Sequence, residues 1–299
     1  MKINLVRNGI FPITETPGRP RVKPATGYDF PGTLQGEGKL IGVPVLFIRT
    51  SGCNLRCTWT TPEGEVSICD TPYASHTPDE VEAWETSDVV STVKENLGPI
   101  RHLVISGGEP TIQPGPLVEL ARMLKTSLDV HITLETNGVL FVPRLVNHVD
   151  LFSISPKLKS SEPDPRKNRK LQVPVGENYM RDHAKFRRNL DTLQKYINAC
   201  MNLSSYYGQF PGTDPERRAD KDFQLKFVIT REEDLEEIRK DFLGKLSFVS
   251  NDDVVLMPVG GTPELLAKTT DLTARLAVRY GYRFTPRLQI DLYGDTAGT

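Results

Sequence analysis

Three cysteines at the end of one apolar segment are the residues of this sequence best suited to chemistry. Cys53 and Cys57 follow the apolar run 45–48, which is typical of a buried strand, and Cys69 stands twelve residues after Cys57. Cysteine thiolates bind zinc and iron–sulfur clusters. The spacing C-x3-C-x11-C therefore predicts a metal site in the loop that follows this strand.

The number of ligands decides which metal the loop suits. A structural zinc ion takes four protein ligands, whereas a four-iron cluster held by three cysteines keeps one iron open to another molecule. S-adenosylmethionine suits an open iron, because its amino and carboxylate groups can chelate the metal, and radical chemistry then becomes possible. Two alternatives stay open: a zinc site completed by His76, and three free thiols packed in a core.

Two polar segments next to predicted strands could bind ligands. The sequence Ser-Gly-Gly-Glu-Pro at 106–110 follows the predicted strand 103–105. Its glycines would let a ligand approach the backbone and would expose amide hydrogens, while Glu109 offers a carboxylate to a cationic amine. The sequence Thr-Leu-Gln-Gly-Glu-Gly at 33–38 precedes the first strong strand. Each segment alone is also typical of a tight turn.

Composition narrows the class of protein. The chain has 299 residues, of which 38% are hydrophobic and 25% charged, and this is ordinary for a globular protein with a sizeable core. A formal net charge of −1 gives no field that favours nucleic acid or an anionic membrane, so we expect a small-molecule partner. No signal-peptide pattern or membrane-spanning apolar run is present, and Cys200 stands alone, which predicts a reducing, cytoplasmic location.

Apolar runs and helical patterns alternate along the chain. We predict strands at 45–48, 103–105, 130–134, 151–154, 225–229 and 254–257, and helices at 77–97, 116–125, 235–246 and 263–280. The first of these helices would open with a capping box at Thr77-Pro78-Asp79-Glu80. This alternation predicts an α/β fold with a parallel sheet, in which polar segments meet at the carboxyl ends of the strands.

Two regions do not fit the alternation. Residues 1–32 are rich in Pro and Gly and are predicted to wrap the surface, apart from a short strand near 3–6. The interval 158–223 is too long for a simple crossover and carries a predicted helix at 179–202. We predict a surface insertion there, either a solvated helical ornament or a lid.

Taken together, these motifs resemble those of a known enzyme family. The sequence Gly-Cys-Asn-Leu-Arg-Cys-Thr-Trp at 52–59, then Cys-Asp-Thr at 69–71 and Gly-Gly-Glu-Pro at 107–110, resembles radical S-adenosylmethionine (SAM) enzymes. Gln-Gly-Glu-Gly at 35–38, Arg49 and Ser-Pro-Lys at 155–157 narrow the resemblance to 7-carboxy-7-deazaguanine synthases, the QueE family. It implies a single domain with a partial (β/α)6 barrel of the radical SAM type, a core at about 43–286 and a helical insertion at about 158–223.

The resemblance departs from the family in the cysteine spacing. The superfamily usually has C-x3-C-x2-C, and here residues 60–68 are inserted before Cys69. We expect the insertion to bulge out and return the third ligand at small entropic cost, because loop closure depends only logarithmically on length.

The resemblance also implies three sets of site residues. The substrate, a pterin, would be bound by Leu34, Gln35, Gly36, Glu37, Arg49, Ser106 and Gln289. The SAM contacts would be Ile68, Asp70, Gly108, Glu109, Ser155, Pro156, Lys157, Met257, Pro258, Val259 and Gly260. The metal ligands would be Cys53, Cys57 and Cys69 for a [4Fe-4S] cluster and Thr71 for Mg²⁺. Gln289 stands where some family members have a histidine, and Glu135 would lie on the cofactor side.

The activity implied is that of a lyase in 7-deazapurine (queuosine and preQ0) biosynthesis. Such an enzyme would convert 6-carboxy-5,6,7,8-tetrahydropterin to 7-carboxy-7-deazaguanine and release ammonia. The resemblance further implies an electron donor such as flavodoxin or ferredoxin and a homodimer. Two rival functions are a radical SAM activase acting on a protein partner and a non-catalytic, zinc-bound barrel.

Overall fold

A computed structural model of the protein describes residues 1–16, 18, 20–77, 80–202 and 217–299. The strands in these residues are β1 (Lys2–Phe11), β2 (Thr33–Leu34), β3 (Pro44–Thr50), β4 (Thr58–Thr60), β5 (Val66–Ile68), β6 (Val81–Glu85), β7 (His102–Gly107), β8 (His131–Thr136), β9 (Leu151–Ile154), β10 (Asp222–Ile229), β11 (Val254–Pro258) and β12 (Arg283–Phe284).

Helices cross between most of these strands. They are α1 (Pro72–Ser75), α2 (Thr86–Asn96), α3 (Pro114–Ser127), α4 (Pro165–Asn168), α5 (Glu177–Phe186), α6 (Leu190–Ala199), α7 (Glu233–Glu237, continued by a π-helical turn at Ile238–Leu243), α8 (Pro263–Tyr280) and α9 (Leu288–Tyr293). Within the described ranges, no helix is long and apolar enough to cross a membrane.

One sheet forms the centre of the molecule, with the strand order β12-β11-β10-β9-β8-β7-β3-β1-β6 and with β2 added beside β3. From β3 to β12 all neighbours are parallel, and they follow chain order. The six predicted strands all lie in this run. The prediction of an α/β fold with a parallel sheet is confirmed, and the sheet is open, with β12 and β6 at its ends.

The two faces of this sheet have different environments, because successive side chains on a strand point to opposite faces. Ile48 of β3 and Ile105 of β7 belong to the main hydrophobic core, which the helices cover. Their neighbours Arg49 and Ser106 line a polar cavity on the other face. The strands that these apolar runs predict therefore extend to polar residues of the site, directly after each run.

The predicted helix at 77–97 is wrong in its first part. Residues Val81–Glu85 form β6, which pairs antiparallel with β1 so that Trp84 lies opposite Ile3. The helix begins only at Thr86. Pairing with β1 satisfies the backbone of this segment in an extended form, which overrides its helical spacing. Pro78 and Asp79 of the predicted capping box lie outside the described residues.

The N-terminal segment is more regular than its composition predicts. The strand near 3–6 extends over Lys2–Phe11, and it pairs antiparallel with β3 on one side and with β6 on the other. Ile3 and Leu5 are fully buried. Residues 2–11 are therefore part of the sheet and do not wrap the surface.

The interval 158–223 has two different halves. The predicted helix at 179–202 is divided into α5 and α6, with a break between Phe186 and Leu190. Helix α6 buries Tyr196 and Ile197 in the main core and forms the crossover from β9 to β10. Helix α5 buries only His183. Surface placement therefore fits the first half of the interval and does not fit α6.

Candidate active site

A cavity of about 210 Å³ opens at the carboxyl ends of the parallel strands. Most of the predicted site residues line it: Leu34, Gln35, Gly36, Glu37, Arg49, Cys53, Cys57, Ile68, Cys69, Asp70, Thr71, Ser106, Gly108, Ser155, Lys157, Met257, Pro258, Val259, Gly260 and Gln289. The structure thus brings together segments that are up to 255 positions apart in the chain, such as Leu34 and Gln289.

The insertion at 60–68 folds as a β-hairpin. Strands β4 and β5 pair antiparallel, with Thr58 opposite Ile68 and Thr60 opposite Val66. A short turn closes the hairpin at Gly64, which has a φ of 84°. One step beyond the last pair, the Cys69 backbone N–H donates to the Cys57 carbonyl over 3.3 Å. The expectation that the inserted residues return the third cysteine to the other two is therefore met.

The backbone of Gly108 and Glu109 holds the cysteine loop. The Gly108 N–H donates to the Thr50 carbonyl over 3.2 Å, and the Glu109 N–H donates to the Gly52 carbonyl over 2.8 Å. A Cβ on Gly108 would lie 2.3 Å from the Gly52 oxygen and 2.4 Å from the Ala74 oxygen. Gly108 is therefore required for close packing against the loop. The prediction that this segment exposes amide hydrogens to a ligand is wrong for the Gly108 N–H, because it already pairs with the Thr50 carbonyl.

The Glu109 side chain lies beneath the cavity and does not line it. Its carboxylate is fully buried and accepts hydrogen bonds from the Thr111 N–H and hydroxyl, the Thr136 hydroxyl and the Asn137 N–H, at 2.6–3.1 Å. Four protein donors thus pair with this carboxylate, and its contact with a cationic amine stays a prediction. Pro156, another predicted cofactor contact, is buried and also lies outside the cavity lining.

Two further residues fix the loop from opposite sides. The Asn137 side-chain amide donates to the Asn54 side-chain oxygen over 2.7 Å. From the interval after β9, His183 Nδ1 accepts the Arg56 backbone N–H over 3.3 Å, and His183 Nε2 lies 3.1 Å from the Ser161 hydroxyl. His183 is fully buried, and burial lowers its pKa to about 3, so the ring is neutral and Nδ1 can accept.

The three thiols share one buried environment. Burial, and secondarily the carboxylate of Glu109, raises the pKa of Cys53 to about 12. Burial also raises the pKa of Cys57 and of Cys69. The protein without metal therefore holds neutral thiols, and any metal that binds them must displace protons.

The arrangement of the three cysteines fits a four-iron cluster better than a single metal ion. Over the described part of the chain, no three His, Cys, Asp or Glu side chains converge closely enough to share a single metal ion. A zinc site completed by His76 is therefore not formed, and His76 does not line the cavity. A four-iron cluster does not need such convergence, because each thiolate binds a different iron.

A chain of ionic contacts crosses the other side of the cavity. Glu37 accepts hydrogen bonds from Lys226 Nζ at 2.5 Å, Arg287 Nε at 2.9 Å and the Gln289 amide at 2.8 Å. Arg287 also donates to Asp70, the residue after Cys69. Although burial opposes ionisation, Lys226 and Arg287 hold the pKa of Glu37 well below its usual range. Glu37 is therefore an anion fixed between two cations.

Two polar atoms in this region have no partner. Arg49 Nε and Gln289 Oε1 are buried side-chain atoms without a hydrogen bond. Arg49 Cζ lies 5.1 Å from the centre of the Phe11 ring, and this cation–π contact helps to hold the guanidinium in place. An unpaired buried donor or acceptor costs about 1–3 kcal/mol, so a ligand that pairs with both atoms would relieve this cost.

The remaining predicted residues line the same cavity and contact one another or Cys69. The Lys157 amine donates to the Ser155 hydroxyl over 2.7 Å at the end of β9. The Thr71 hydroxyl lies 3.4 Å from Cys69 Sγ, directly before α1. Glu135, which the resemblance places only on the cofactor side, accepts a hydrogen bond from the Ser106 hydroxyl over 2.7 Å.

Sequence reasoning missed Arg287 and Lys226. Lys226 lies on β10, where Gln224, Lys226 and Val228 face one way and Leu225 and Phe227 lie in the core. Polar residues at alternate positions of a buried strand are a detectable signal for a polar face. For Arg287, no local pattern predicts its contacts with segments more than 200 residues away.

Comparison with known proteins first defines the class. The model of the Radical SAM superfamily matches residues 47–223, which is more than half of the chain. The crystal structure of QueE from Escherichia coli superposes with a TM-score of 0.53 and 20% identity, covering 93% of this chain and 94% of that one. This second comparison supports the fold alone. Fold and site thus define a radical SAM protein, a class whose members bind a [4Fe-4S] cluster and SAM.

The relatives then define the family. A 7-carboxy-7-deazaguanine synthase of Halobacterium salinarum is 34% identical over 97% of this chain and all of that protein. A second, from Rhodopirellula baltica, is 32% identical over 89% of this chain and 85% of that protein. The chain therefore belongs to the 7-carboxy-7-deazaguanine synthase family of the radical SAM superfamily. It is accordingly a radical SAM enzyme of the lyase class.

Proposed function

We propose that this protein converts 6-carboxy-5,6,7,8-tetrahydropterin to 7-carboxy-7-deazaguanine and ammonia, as a step of 7-deazapurine biosynthesis. The observation that carries the proposal is that two residues lining the cavity next to the three cysteines, Arg49 and Gln289, each have one buried polar atom without a hydrogen-bond partner, Nε and Oε1 respectively. A carboxylated heterocycle with a hydrogen-bond donor edge is the type of ligand that satisfies both atoms.

The chain's own residues position the substrate. Arg49 would bind the pterin carboxylate, because the guanidinium is always charged and stays in place against Phe11. Gln289 Oε1 would accept a hydrogen bond from a ring N–H. Lys226 and Arg287 keep Glu37 anionic. The Glu37 carboxylate would accept a second hydrogen bond from the pterin, in place of the one that it now accepts from the Gln289 side-chain amide. No side chain is assigned as an acid or base, so the residues contribute through positioning.

Cys53, Cys57 and Cys69 would hold the cluster, and Ser155, Lys157 and the segment at 257–260 would contact SAM. When bound, these cofactors would supply the one-electron chemistry that removes a hydrogen atom from the substrate. The Thr71 hydroxyl, a hard oxygen ligand beside Cys69, would bind Mg²⁺ and so help to hold the substrate carboxylate. Reduction of the cluster by a protein electron donor and assembly of the chain into a homodimer remain predictions.

The cluster assignment is tested with two cysteine variants after anaerobic reconstitution. Cys57→Ser removes one of the three cavity thiols, and we expect it to lose most of its iron and sulfide. Cys200→Ala is the matched control, because Cys200 is buried at the end of α6, outside the cavity lining. Equal iron content in both variants would contradict the assignment.

The substrate assignment is tested separately with reconstituted protein, SAM, dithionite, Mg²⁺ and the pterin. We expect 7-carboxy-7-deazaguanine and ammonia in equal amounts from the unmodified protein. Arg49→Gln should raise KM for the pterin at least tenfold, because a charge-assisted hydrogen bond to a carboxylate contributes about 1.5–3 kcal/mol. Absence of the deazaguanine despite an intact cluster would reject the substrate. An unchanged KM of Arg49→Gln would contradict the binding of the pterin carboxylate by Arg49.

A further inference from the structure

A second cavity, of about 700 Å³, lies on the outer side of the hairpin formed by β4 and β5. Its lining combines Thr60, Gly64 and Val66 of the hairpin with residues from the segment after β9 and from the end of β10. None of its lining residues also lines the candidate active site. A partner could therefore contact this region while the substrate cavity is occupied.

The charge of this region is strongly positive. Six cationic residues line it against two acidic ones, Glu162 and Asp164. We call the cationic residues the basic surface: Lys159, Arg166, Lys167, Arg169, Lys170 and Arg231. The whole chain has a formal net charge of −1, so this surface is a local feature and not a consequence of composition.

The carboxylates of the two acidic residues already pair with other groups of the protein. Glu162 forms an ion pair with Arg187. The Asp164 carboxylate accepts the backbone N–H groups at the start of α4, at 2.7 and 2.9 Å. By contrast, the side chains of Lys159, Arg166 and Arg169 are exposed and form no ion pair with any residue that the structure describes. The positive charge is therefore available to a partner.

The basic surface is connected directly to the cysteine loop. Lys167 Nζ donates to the carbonyl of Thr58, the residue after Cys57, over 2.7 Å. Lys170 Nζ donates to the Gly64 carbonyl at the hairpin tip over 2.5 Å. One hydrogen bond and one peptide unit thus separate a residue of this surface from a cysteine of the cavity.

The geometry favours a protein over a small anion. The one buried cation of the surface, Lys167, already donates to three carbonyl oxygens, those of Thr58, Ser160 and Glu162. The free cations are exposed and distributed along residues 159–169, and such an arrangement complements a broad acidic face. Exposed charges of this kind act mainly on the rate of association.

We propose that the basic surface docks an acidic one-electron carrier protein and that the electron enters through the hairpin toward Cys57. This proposal rests on the proposed function, which requires a cluster that is reduced in each cycle. In the step, the carrier loses one electron and the cluster gains one, and no bond or proton of this chain changes. The inserted residues 60–68 would then serve as part of the docking platform.

The test uses a charge-reversed variant, Lys159→Glu/Arg169→Glu, and a control with the same change in net charge. The control, Lys94→Glu/Arg122→Glu, alters exposed residues on α2 and α3, far from the hairpin. The probe is a purified acidic flavodoxin. Stopped-flow absorbance measures the rate of cluster reduction by flavodoxin hydroquinone and by dithionite, at 20 mM and at 300 mM salt. Titration calorimetry measures the Kd of flavodoxin for the metal-free protein.

We expect the test variant to be reduced by flavodoxin at least tenfold more slowly than the control at low salt, and the difference to shrink at high salt. Reduction by dithionite should be equal in both variants, and the Kd of the test variant should rise. Equal flavodoxin rates, or an equal Kd, in the two variants would overturn the docking proposal. Normal docking and reduction without pterin conversion would instead reject the proposed function, so the two failures are distinguishable.

Discussion

Cys57 and Cys69 lie opposite each other at the open end of the β4–β5 hairpin, joined by a backbone hydrogen bond of 3.3 Å. Directly opposed residues of an antiparallel pair have Cβ atoms about 5 Å apart. The hairpin therefore replaces close sequence spacing as the device that sets the distance between these two thiols. The pairing register of β4 with β5, and not the length of the loop between Cys57 and Cys69, decides whether the third cysteine reaches the cavity.

A shorter hairpin tip should therefore leave the metal site intact. Replacing Pro62-Glu63-Gly64 by Asn-Gly keeps the pairing of β4 with β5, because Asn-Gly forms a tight two-residue turn. We expect the iron content per chain to stay within about 20% of the unmodified protein. Iron analysis after anaerobic reconstitution measures it.

Deletion of Ser67 from β5 is the opposite experiment. Removing one residue within a paired strand turns the following side chains to the other face. The Cys69 thiol would then point out of the cavity, and we expect loss of most of the iron. Retention of the full iron content in this deletion would show that the hairpin register does not position Cys69.

His183 should stabilise the cysteine loop from the interval after β9. In His183→Leu the Arg56 N–H loses its acceptor in a buried position, at a cost of about 1–3 kcal/mol in the free energy of unfolding. Urea denaturation of the metal-free protein measures this loss. His148→Leu, at a half-buried histidine outside the loop contacts, should change the free energy of unfolding by less than about 0.5 kcal/mol. Equal effects in the two variants would contradict the role of His183.

Stability should fall as the pH drops below about 6.5. Burial, followed by the neighbouring His131, lowers the pKa of His102 to about 4 in the folded protein, from an ordinary value of 6.5. Between these values only the unfolded chain binds the proton, so the free energy of unfolding decreases as pH falls. From pH 7 to 5.5, His102 alone should account for about 1 kcal/mol.

His102→Gln isolates this contribution, because Gln can still pair with the Thr133 hydroxyl, which lies 2.8 Å from His102 Nε2. We expect a shallower dependence of the unfolding free energy on pH in this variant. Urea denaturation at pH 7.0, 6.25 and 5.5 provides the measurement. An unchanged slope would mean that His102 does not titrate differently in the folded and unfolded states.

Glu37 and Lys226 should be energetically coupled. Their side chains are 12% and 7% exposed, so Glu37→Gln leaves a buried ammonium with less counter-charge. Breaking one side of a buried ion pair costs about 3–5 kcal/mol, whereas replacing both partners costs less. The double variant Glu37→Gln/Lys226→Met should therefore be more stable than Glu37→Gln. A double-mutant cycle by urea denaturation measures the coupling, and additive effects would contradict it.

Much of the fold follows from local patterns in the sequence. The apolar runs predict the six parallel strands, and the position of polar segments after them predicts one shared site. The predicted helix at 77–97 is wrong in its first part because β1, 75 to 83 residues earlier in the chain, pairs with Val81–Glu85. Sequence periodicity measures local preference, and pairing with a distant strand overrides it.

The sequence by itself determined which cysteines are predicted to bind the cluster and which motifs surround them, because these depend on residue type and on short spacing. Only the tertiary structure decided how they are used. It shows that Gly108 and Glu109 bind the cysteine loop through their backbone amides, and that Arg287 bridges Glu37 and Asp70. Such contacts join residues as many as 250 positions apart, and no local pattern encodes them because they form only when the sheet brings its strand ends together.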